Sequence, residues 1–184
     1  MKWAIDPTHS SVTFTIRQLI SKVRGEMKIK EGWIETENED FSRAGVEVVL
    51  DAATVTITAP PVTLTLADYP VITFKSKRVE AKDPSSIEVI GDLTIHGITR
   101  EVTLHAGFNG EGTDSWGNRR IGFSADGRLS RKDFNLTWNQ ALEAGGFILG
   151  DDVKLDIDVE AVPARSPAET DAEVHAEAAV AAHR

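Results

Sequence analysis

Apolar and polar residues alternate with a period of two along most of this chain. Residues 153–160, VKLDIDVE, alternate strictly, and residues 12–16, VTFTI, and 102–108, VTLHAGF, follow the same pattern. Successive side chains of a β-strand point to opposite faces, so each segment presents one apolar face and one polar face. The pattern predicts a fold made mainly of half-buried β-strands.

Further segments have a strand-like composition, at 23–30, 33–37, 44–50, 71–80, 86–95 and 119–129. Turn-forming residues are found at 82–85, His96-Gly97, Asn109-Gly110 and 116–118. One short helix is predicted over residues 138–147, where Gly145-Gly146 would end it.

About eight or nine strands with few helices between them indicate antiparallel neighbours. The apolar face of such a sheet has to pack against a second sheet, or the sheet has to close on itself. We predict an all-β fold, a single-domain antiparallel β-barrel of about eight strands with one or two short helices. A barrel of that size has room for a packed core or for one small ligand.

The composition argues against several classes of function. A net charge of -9 would repel the phosphates of a nucleic acid, and no cluster of Lys and Arg offsets it. Because the chain has no cysteine, disulfides, thiolate metal sites and Cys nucleophiles are excluded. No run approaches the roughly 18 apolar residues that a membrane-spanning helix needs.

The two ends of the chain differ from the part between them. The N-terminal residues MKWAIDPTHSSVTF contain neither an apolar h-region nor a small-residue cleavage site. The expected location is therefore the cytoplasm, or the periplasm if an export signal has been removed. The barrel is expected to span residues 1–162. Residues 163–184 are rich in Ala and Glu, which predicts a disordered or weakly helical tail.

A catalytic site needs a nucleophile or an acid–base pair with a partner. His9, in DPTHSS, neighbours Asp6 and Ser10 and could belong to such a group. The interpretation that we favour is a turn whose side chains hydrogen-bond the local backbone. His96 lies in a predicted turn, and His105 lies on the polar side of its strand. No histidine pair in the predicted barrel has metal-ligand spacing, so neither a metal nor a cofactor is expected.

The segment SRKDFNLTWN, residues 130–139, combines charged and aromatic residues. If it is a strand, Arg131 and Asp133 lie on one face, and Phe134, Leu136 and Trp138 lie on the other. One interpretation is an Arg131–Asp133 pair that closes a rim of the barrel. Another is a polar mouth that recognises the head group of a ligand above an apolar cavity. The two interpretations are compatible.

Six segments occur in the order found in one protein family. They are WAIDPTHSSVTFTIR at 3–17, VRGEM at 23–27, YPVITFKS at 69–76, IEVIGDLTIHGITREVTL at 87–104, GFSADGRLSRKDFNLTWN at 122–139 and GDDVKLDIDVEAV at 150–162. With these segments the chain resembles the YceI-like family of bacterial polyisoprenoid-binding proteins. The resemblance implies a lipocalin-like barrel whose elongated cavity takes a polyisoprenoid chain, such as the tail of an isoprenoid quinone.

The resemblance also implies a function and a site. The expected function is non-catalytic binding and sequestration or transport of an isoprenoid lipid, and the chain is compatible with a homodimer. Candidates for the cavity wall, by match to the family, are Phe14, Ile16, Phe74, Leu93, Ile95, Phe134 and Trp138. Arg131 and Asp133 are candidates for the rim or the head-group site. Two alternatives stay open: an enzyme on an amphipathic substrate that uses His9 or Arg131 and Asp133, and a packed stress or interaction barrel without a ligand.

Two places depart from the family pattern. Asn135 stands where relatives often have Gly, so the turn after Asp-Phe is expected to differ. Residues 57–66, ITAPPVTLTL, stand where relatives usually carry Arg-Asp-x-His-Leu and then a short helix. Codons for Arg-Asp-Ala-His-Leu, read one base out of frame, can encode Val-Thr-Leu-Thr, the residues at 62–65. The segment is a frameshift, an engineered replacement or a natural divergence, and we expect it to loosen the cavity and weaken ligand retention.

Overall fold

The computed structural model describes residues 1–57, 68–83, 86–139 and 149–164. They contain nine β-strands: β1 Lys2–Ile5, β2 Ser11–Gln18, β3 Ser21–Glu37, β4 Asp40–Ile57, β5 Val71–Asp83, β6 Ser86–Ile95, β7 Ile98–Thr113, β8 Arg119–Ser130 and β9 Leu149–Pro163. A single turn of 3-10 helix, Arg131–Phe134, follows β8. No helix in these ranges combines the length and the apolarity needed to cross a bilayer.

The strands form one antiparallel sheet that closes into a ring of eight. Neighbouring strands follow the order β3-β2-β9-β8-β7-β6-β5-β4, and the pairing of β4 with β3 closes the ring. The short strand β1 pairs with β3 and β9 beyond the end of β2. Beyond the turn at residues 6–10, β1 therefore takes the position between β3 and β9 that β2 has in the rest of the ring. The predicted antiparallel barrel is confirmed.

The barrel has two distinct ends, because antiparallel strands bring alternate connections together. One end holds the β2–β3 hairpin at residues 18–21, the β6–β7 hairpin at residues 95–98 and the 3-10 helix. We call it the helix end. The other end holds the β3–β4 hairpin at residues 37–40 and the β7–β8 connection at residues 113–119. We call it the aromatic end, for the rings described below.

Two of the predicted strands, 23–30 and 33–37, are parts of one long strand. Buried residues of β3 fall on odd numbers up to Ile29 and on even numbers from Gly32 onwards. The register against β4 shifts between Ile29 and Glu31, which marks a bulge that resets the alternation. The sequence pattern broke at this bulge because one extra residue moves all later side chains to the opposite face.

The predicted turns have different outcomes. His96-Gly97 is a two-residue hairpin loop between Ile95 and Ile98, with φ of 52° at His96 and 72° at Gly97, as predicted. The prediction of a turn at Asn109-Gly110 is wrong. β7 continues through it, and the register against β8 shifts between Phe108 and Gly110. Gly110 has a φ of 123°, so the glycine permits a bulge rather than a chain reversal.

Some predictions fall on parts of the chain outside the described residues. These are most of the predicted helix at 138–147, almost all of the divergent segment at 57–66 and the tail from residue 165 onwards. Within the described part, β9 extends to Pro163, and the Ala164 N–H donates to the carbonyl of Lys2 at 2.9 Å. The ordered barrel thus includes the first residues of the predicted tail.

Candidate ligand-binding cavity

The interior of the barrel contains a cavity of about 160 Å³. All nine strands contribute to its lining, and every lining side chain is aliphatic, aromatic or methionine. An engineered cavity of about 150 Å³ is large enough to bind benzene and stays dry when its walls are apolar. The barrel is therefore not packed solid, and its interior suits an apolar guest without offering it hydrogen bonds.

Cross-strand register explains why the lining is continuous. Phe74 of β5 lies directly opposite Val48 of β4 and Leu93 of β6. All three face inward, and Phe74 and Leu93 are buried. Because strands pair without an open edge, each inward residue has an inward neighbour on both sides, which produces a closed apolar wall.

A cluster of aromatic rings closes the aromatic end. Phe41 lies between Trp3, Phe108 and Phe123, with ring-centroid distances of 6.3, 5.7 and 5.2 Å. The guanidinium of Arg119 lies 5.2 Å from the centre of the buried Trp3 ring. Such a cation over an aromatic face is attracted by the ring quadrupole. This end of the cavity is sealed by tightly packed rings, so a ligand has a poor route through it.

The helix end is organised by Arg131, whose side chain is buried. Its Nε donates to the carbonyl of Gly150 at 2.9 Å, and its Nη1 donates to the carbonyls of Leu136 and Trp138 at 2.5 and 2.7 Å. Its Nη2 donates to Asp151 Oδ1 at 3.2 Å. One guanidinium thus fastens the segment after the 3-10 helix to the beginning of β9, because its fork of donors can serve several carbonyls at once.

Comparison with known proteins shows which family has this architecture. The model of the YceI-like domain matches residues 3–161. The chain belongs to the YceI-like family. UPF0312 protein SAS2572 of Staphylococcus aureus is 33% identical to this YceI-like chain over 168 residues, which cover 86% of the chain and 95% of the relative. Protein YceI of Escherichia coli O157:H7 is 47% identical over 73 residues, a match that spans only 38% of that relative's length.

Solved structures share the fold of this YceI-like chain. BcnA of Burkholderia cenocepacia superimposes with a TM-score of 0.70 at 18% identity, covering 85% of this chain and 98% of BcnA. The YceI protein of Campylobacter jejuni gives a TM-score of 0.63 at 26% identity, covering 79% and 88%. A protein described as a polyisoprenoid binding domain from Saccharophagus degradans gives 0.58 at 15% identity, covering 88% and 98%. The resemblance drawn from the sequence is confirmed.

The seven candidates for the cavity wall divide into two groups. Phe74, Leu93 and Ile95 line the cavity of the YceI-like barrel. Phe14, Ile16, Phe134 and Trp138 are not among its lining residues. The Phe14 ring fills the space above Gly25, where a side chain would collide with it. Ile16 lies near the helix end, opposite Val153 at the end of its regular pairing with β9.

Phe134 and Trp138 need a correction because their segment is not a strand. Residues 131–134 form the 3-10 helix, so side chains there do not alternate between two faces. Phe134 is 1% exposed and belongs to the core beside the helix. Trp138 is 61% exposed and points away from the interior. The placement of Trp138 in the wall is wrong.

The predicted Arg131–Asp133 pair is also wrong. Arg131 pairs with Asp151, whereas Asp133 is exposed on the 3-10 helix. Asn135 ends that helix with φ of 56° and ψ of 24°, and its N–H donates to the carbonyl of Lys132 at 3.0 Å. Asn tolerates this left-handed conformation, so it replaces the family's Gly at little cost. A difference between this turn and that of relatives with Gly stays a prediction.

Several lining residues were missed by the sequence reasoning, among them Ile5, Met27, Phe41 and Ile72. The alternation of β4 and β5 carried the signal, because Ile72 has the same phase as the correctly predicted Phe74. Phe41 directly follows a hairpin, where single-sequence patterns give no phase. Only the ring closure that brings β1, β4 and β8 together reveals its place.

His9 lies on the outside of the barrel in the turn between β1 and β2. Its Nδ1 is 2.8 Å from Asp6 Oδ2, and the Thr8 N–H donates to Asp6 Oδ1 at 2.9 Å. Arg120 also donates to Asp6 Oδ2 at 2.8 Å. Partial burial would raise the pKa of Asp6, but hydrogen bonds from Thr8, Arg120 and His9 outweigh it and hold that pKa well below its usual range. The favoured interpretation of a local turn fits this geometry.

Arg120 connects this turn to two further carboxylates. Its Nη1 donates to Glu160 Oε1 at 2.7 Å, and its Nε donates to Asp114 Oδ2 at 3.0 Å. Hydrogen bonds from Asn118, together with one from Arg120, lower the pKa of Asp114 to about 2. In the described ranges, no three His, Asp or Glu side chains are arranged to hold a metal ion. This network ties strands together on the outside of the aromatic end.

Proposed function

We propose that this chain binds an isoprenoid lipid in its barrel and sequesters or carries it, without acting on it chemically. The observation that carries the proposal is the wholly apolar cavity of about 160 Å³ at the centre of the fold. An isoprenoid chain has no polar groups to match, and its burial yields about 0.8 kcal/mol per CH₂ before entropy costs. The relative from Saccharophagus degradans, described as a polyisoprenoid binding domain, supports this choice of ligand class.

The geometry does not favour the enzymatic alternative. His9 and Asp6 lie outside the barrel, and Arg120 occupies the same carboxylate oxygen as His9. Arg131 is engaged by three backbone carbonyls and Asp151. Neither group faces the cavity, and a general acid or base has to lie within hydrogen-bond reach of the reacting atom.

The fully packed alternative predicts an interior without a cavity. The described interior retains a cavity of about 160 Å³ between the inward faces of the strands. Protein interiors otherwise pack about as densely as organic crystals, with few voids larger than a water molecule. A void of this size is costly unless a guest fills it.

The decisive experiment is extraction of the purified chain with organic solvent, alongside native mass spectrometry of the intact protein. We expect a co-purifying isoprenoid mass, or uptake of an added prenyl alcohol at one molecule per chain. Ala106→Phe places a ring in the cavity from β7 and should reduce occupancy about tenfold or more. Thr103→Phe on the outer face of the same strand is the matched control and should retain the ligand. An empty wild-type chain that takes up no prenyl alcohol would refute the proposal.

A further inference from the structure

The β2–β3 hairpin at the helix end presents two apolar side chains to solvent. Its loop residues are Leu19 and Ile20, which are 48% and 100% exposed. Leu19 has a φ of 51°, a left-handed conformation that a leucine rarely adopts. Two-residue hairpin loops usually contain Asn and Gly at such positions. Ile20 adds no buried apolar area to the fold, so its side chain is available to a partner outside the chain.

The same hairpin is cationic in a chain of net charge -9. Arg17, Lys22 and Arg24 flank the loop, and residues 17–24 include no acidic residue. Arg17 and Lys22 lie directly opposite each other in the β2–β3 register. Like charges at opposed positions destabilise a strand pair. An anionic surface that covers the tip would remove this repulsion.

An exposed aromatic ring, that of Trp138, also lies at the helix end. The carbonyl of Trp138 is held by Arg131, and the adjacent Asn139 donates to the carbonyl of Leu149 at 2.6 Å. Leu149 pairs with Gln18 at the base of the hairpin, so the 61% exposed Trp138 lies beside the tip. Trp and Tyr side chains are favoured at the boundary between lipid and water.

Three acidic residues of the described part of the chain that lie at the helix end are engaged or line another surface. Asp151 pairs with Arg131 and Lys132. Asp133 and Asp152 line a polar groove beside β7 and β8. The β3–β4 hairpin at the opposite end reads Glu37-Asn38-Glu39-Asp40, where Glu39 pairs with Arg119. An anionic membrane would therefore attract the cationic β2–β3 hairpin more than this acidic one.

We propose that the β2–β3 hairpin docks this chain onto an anionic phospholipid membrane, with Leu19 and Ile20 inserted among the lipids and Arg17 and Lys22 against their head groups. Apolar burial and attraction to anionic lipids together are what bind peripheral proteins to a bilayer. Docking in this orientation turns the helix end of the barrel towards the membrane and leaves the aromatic end facing away from it. The surface then gives an isoprenoid a route between bilayer and cavity, and this purpose, though not the docking itself, rests on the proposed function.

The test measures binding of the full chain to vesicles by flotation. The vesicles are phosphatidylcholine with about a quarter phosphatidylglycerol, compared with phosphatidylcholine alone. We expect binding to the anionic vesicles, weakened by salt. Ile20→Ser should weaken it about tenfold through lost apolar burial. The double variant R17Q/K22Q should weaken it about tenfold at low salt through lost attraction to the head groups.

Trp116→Ser is the matched control. Trp116 is 81% exposed in the β7–β8 connection at the aromatic end, so its loss should leave vesicle binding unchanged. The proposal is overturned if wild type does not float with anionic vesicles, if Ile20→Ser binds as wild type does, or if Trp116→Ser loses as much. If wild type does not bind vesicles but forms dimers that dissociate in Ile20→Ser, the tip is instead a contact between two copies of the chain. Isoprenoid content, measured in the same samples, separates failure of docking from failure of ligand binding.

Discussion

Arg131 is a buried cation, 6% exposed, whose donors join the segment after the 3-10 helix to the beginning of β9. We expect Arg131→Met to lower the free energy of unfolding by about 2–4 kcal/mol, because it leaves backbone carbonyls without donors in a buried place. Arg131→Lys should recover less than half of the loss, since one ammonium group cannot reach the carbonyls that the fork reaches. Urea unfolding followed by tryptophan fluorescence measures both.

Two neighbouring residues are controls for this prediction. Lys132 forms an exposed ion pair with Asp151 at 2.7 Å, and exposed pairs contribute little, so Lys132→Met should cost about 0.5 kcal/mol or less. Asp133→Asn should be neutral to within about 0.5 kcal/mol. If Asp133→Asn lowers the free energy of unfolding by much more than this, the result would support the Arg131–Asp133 pair that the sequence suggested. The sequence identified Arg131 as important, but its partner Asp151 is 20 residues away and only the fold brings them together.

The stability of the fold depends on pH in the acid range through Asp6, Asp114 and Arg120. The pKa of Asp6 lies well below its usual range, and that of Asp114 is lowered to about 2, so both stay ionised in the folded chain at a pH where the unfolded chain binds protons. Their contribution to stability is complete above about pH 4 and is lost as the pH falls towards 2 and below.

Arg120→Gln should make this acid dependence shallower. Without the guanidinium, the pKa values of both carboxyls move towards normal, so fewer protons are bound on unfolding between about pH 4 and pH 2. The stability difference between wild type and Arg120→Gln is therefore expected to be largest near neutral pH and to shrink in acid. Urea unfolding at a series of pH values measures it. A difference that is constant with pH would show that Arg120 acts through packing alone.

At the scale of single elements, the bulge in β7 depends on Gly110. A Cβ at this position would meet nothing within 4 Å, yet the φ of 123° is almost restricted to glycine. Gly110→Ala is expected to cost about 1–3 kcal/mol through backbone strain. Gly112, on the same strand, also has open space around it and has no positive φ, so Gly112→Ala should be neutral or slightly stabilising. Equal effects of the two changes in thermal unfolding would contradict this account.

The same bulges set the limit of what periodicity could predict. The sequence identified the strands wherever the alternation runs unbroken, as in residues 153–160 of β9, and it identified the His96-Gly97 turn from local chemistry. It divided β3 in two, because the phase changes between Ile29 and Gly32. It assigned strand alternation to residues 131–138, where a 3-10 helix places Phe134 inside and Trp138 outside. Local patterns do not contain the cross-strand register that decides such cases.

For the whole molecule, the alternation of residues did not decide between a hollow and a solid interior, and only the family resemblance implied a cavity. The sequence pattern of inward-facing residues is the same whether their side chains meet across the barrel axis or leave a cavity between them. Small side chains, among them Ala44, Ala106 and Ala125, belong to the lining, and Ala106 and Ala125 lie directly opposite each other on β7 and β8, which leaves space in the closed ring. Packing of this kind depends on all nine strands together, which is why the cavity was predicted from the family resemblance and not from the alternation of residues.

The size of the cavity leads to a prediction about the length of the ligand. A volume of about 160 Å³ holds about one five-carbon unit, by comparison with the cavity of about 150 Å³ that holds benzene. A longer prenyl chain has to displace mobile lining side chains such as Met27, or to extend towards the helix end, because the rings at Trp3, Phe41 and Phe123 close the other end. Each unit that finds apolar contact adds to binding, and a bound ligand stabilises the folded chain by mass action.

We therefore expect the rise in unfolding temperature to be larger for a prenyl alcohol of three units than for one of two, and larger again for four. The gain per added unit should become smaller once the chain emerges from the barrel. Differential scanning fluorimetry at equal ligand concentration measures the series. Ala106→Phe should remove the shift for all three lengths, because its ring occupies the space that the first unit needs, whereas Thr103→Phe should preserve it. A shift that persists in Ala106→Phe would mean that the alcohols bind the outside of the barrel. In that case the stabilisation would owe nothing to the cavity.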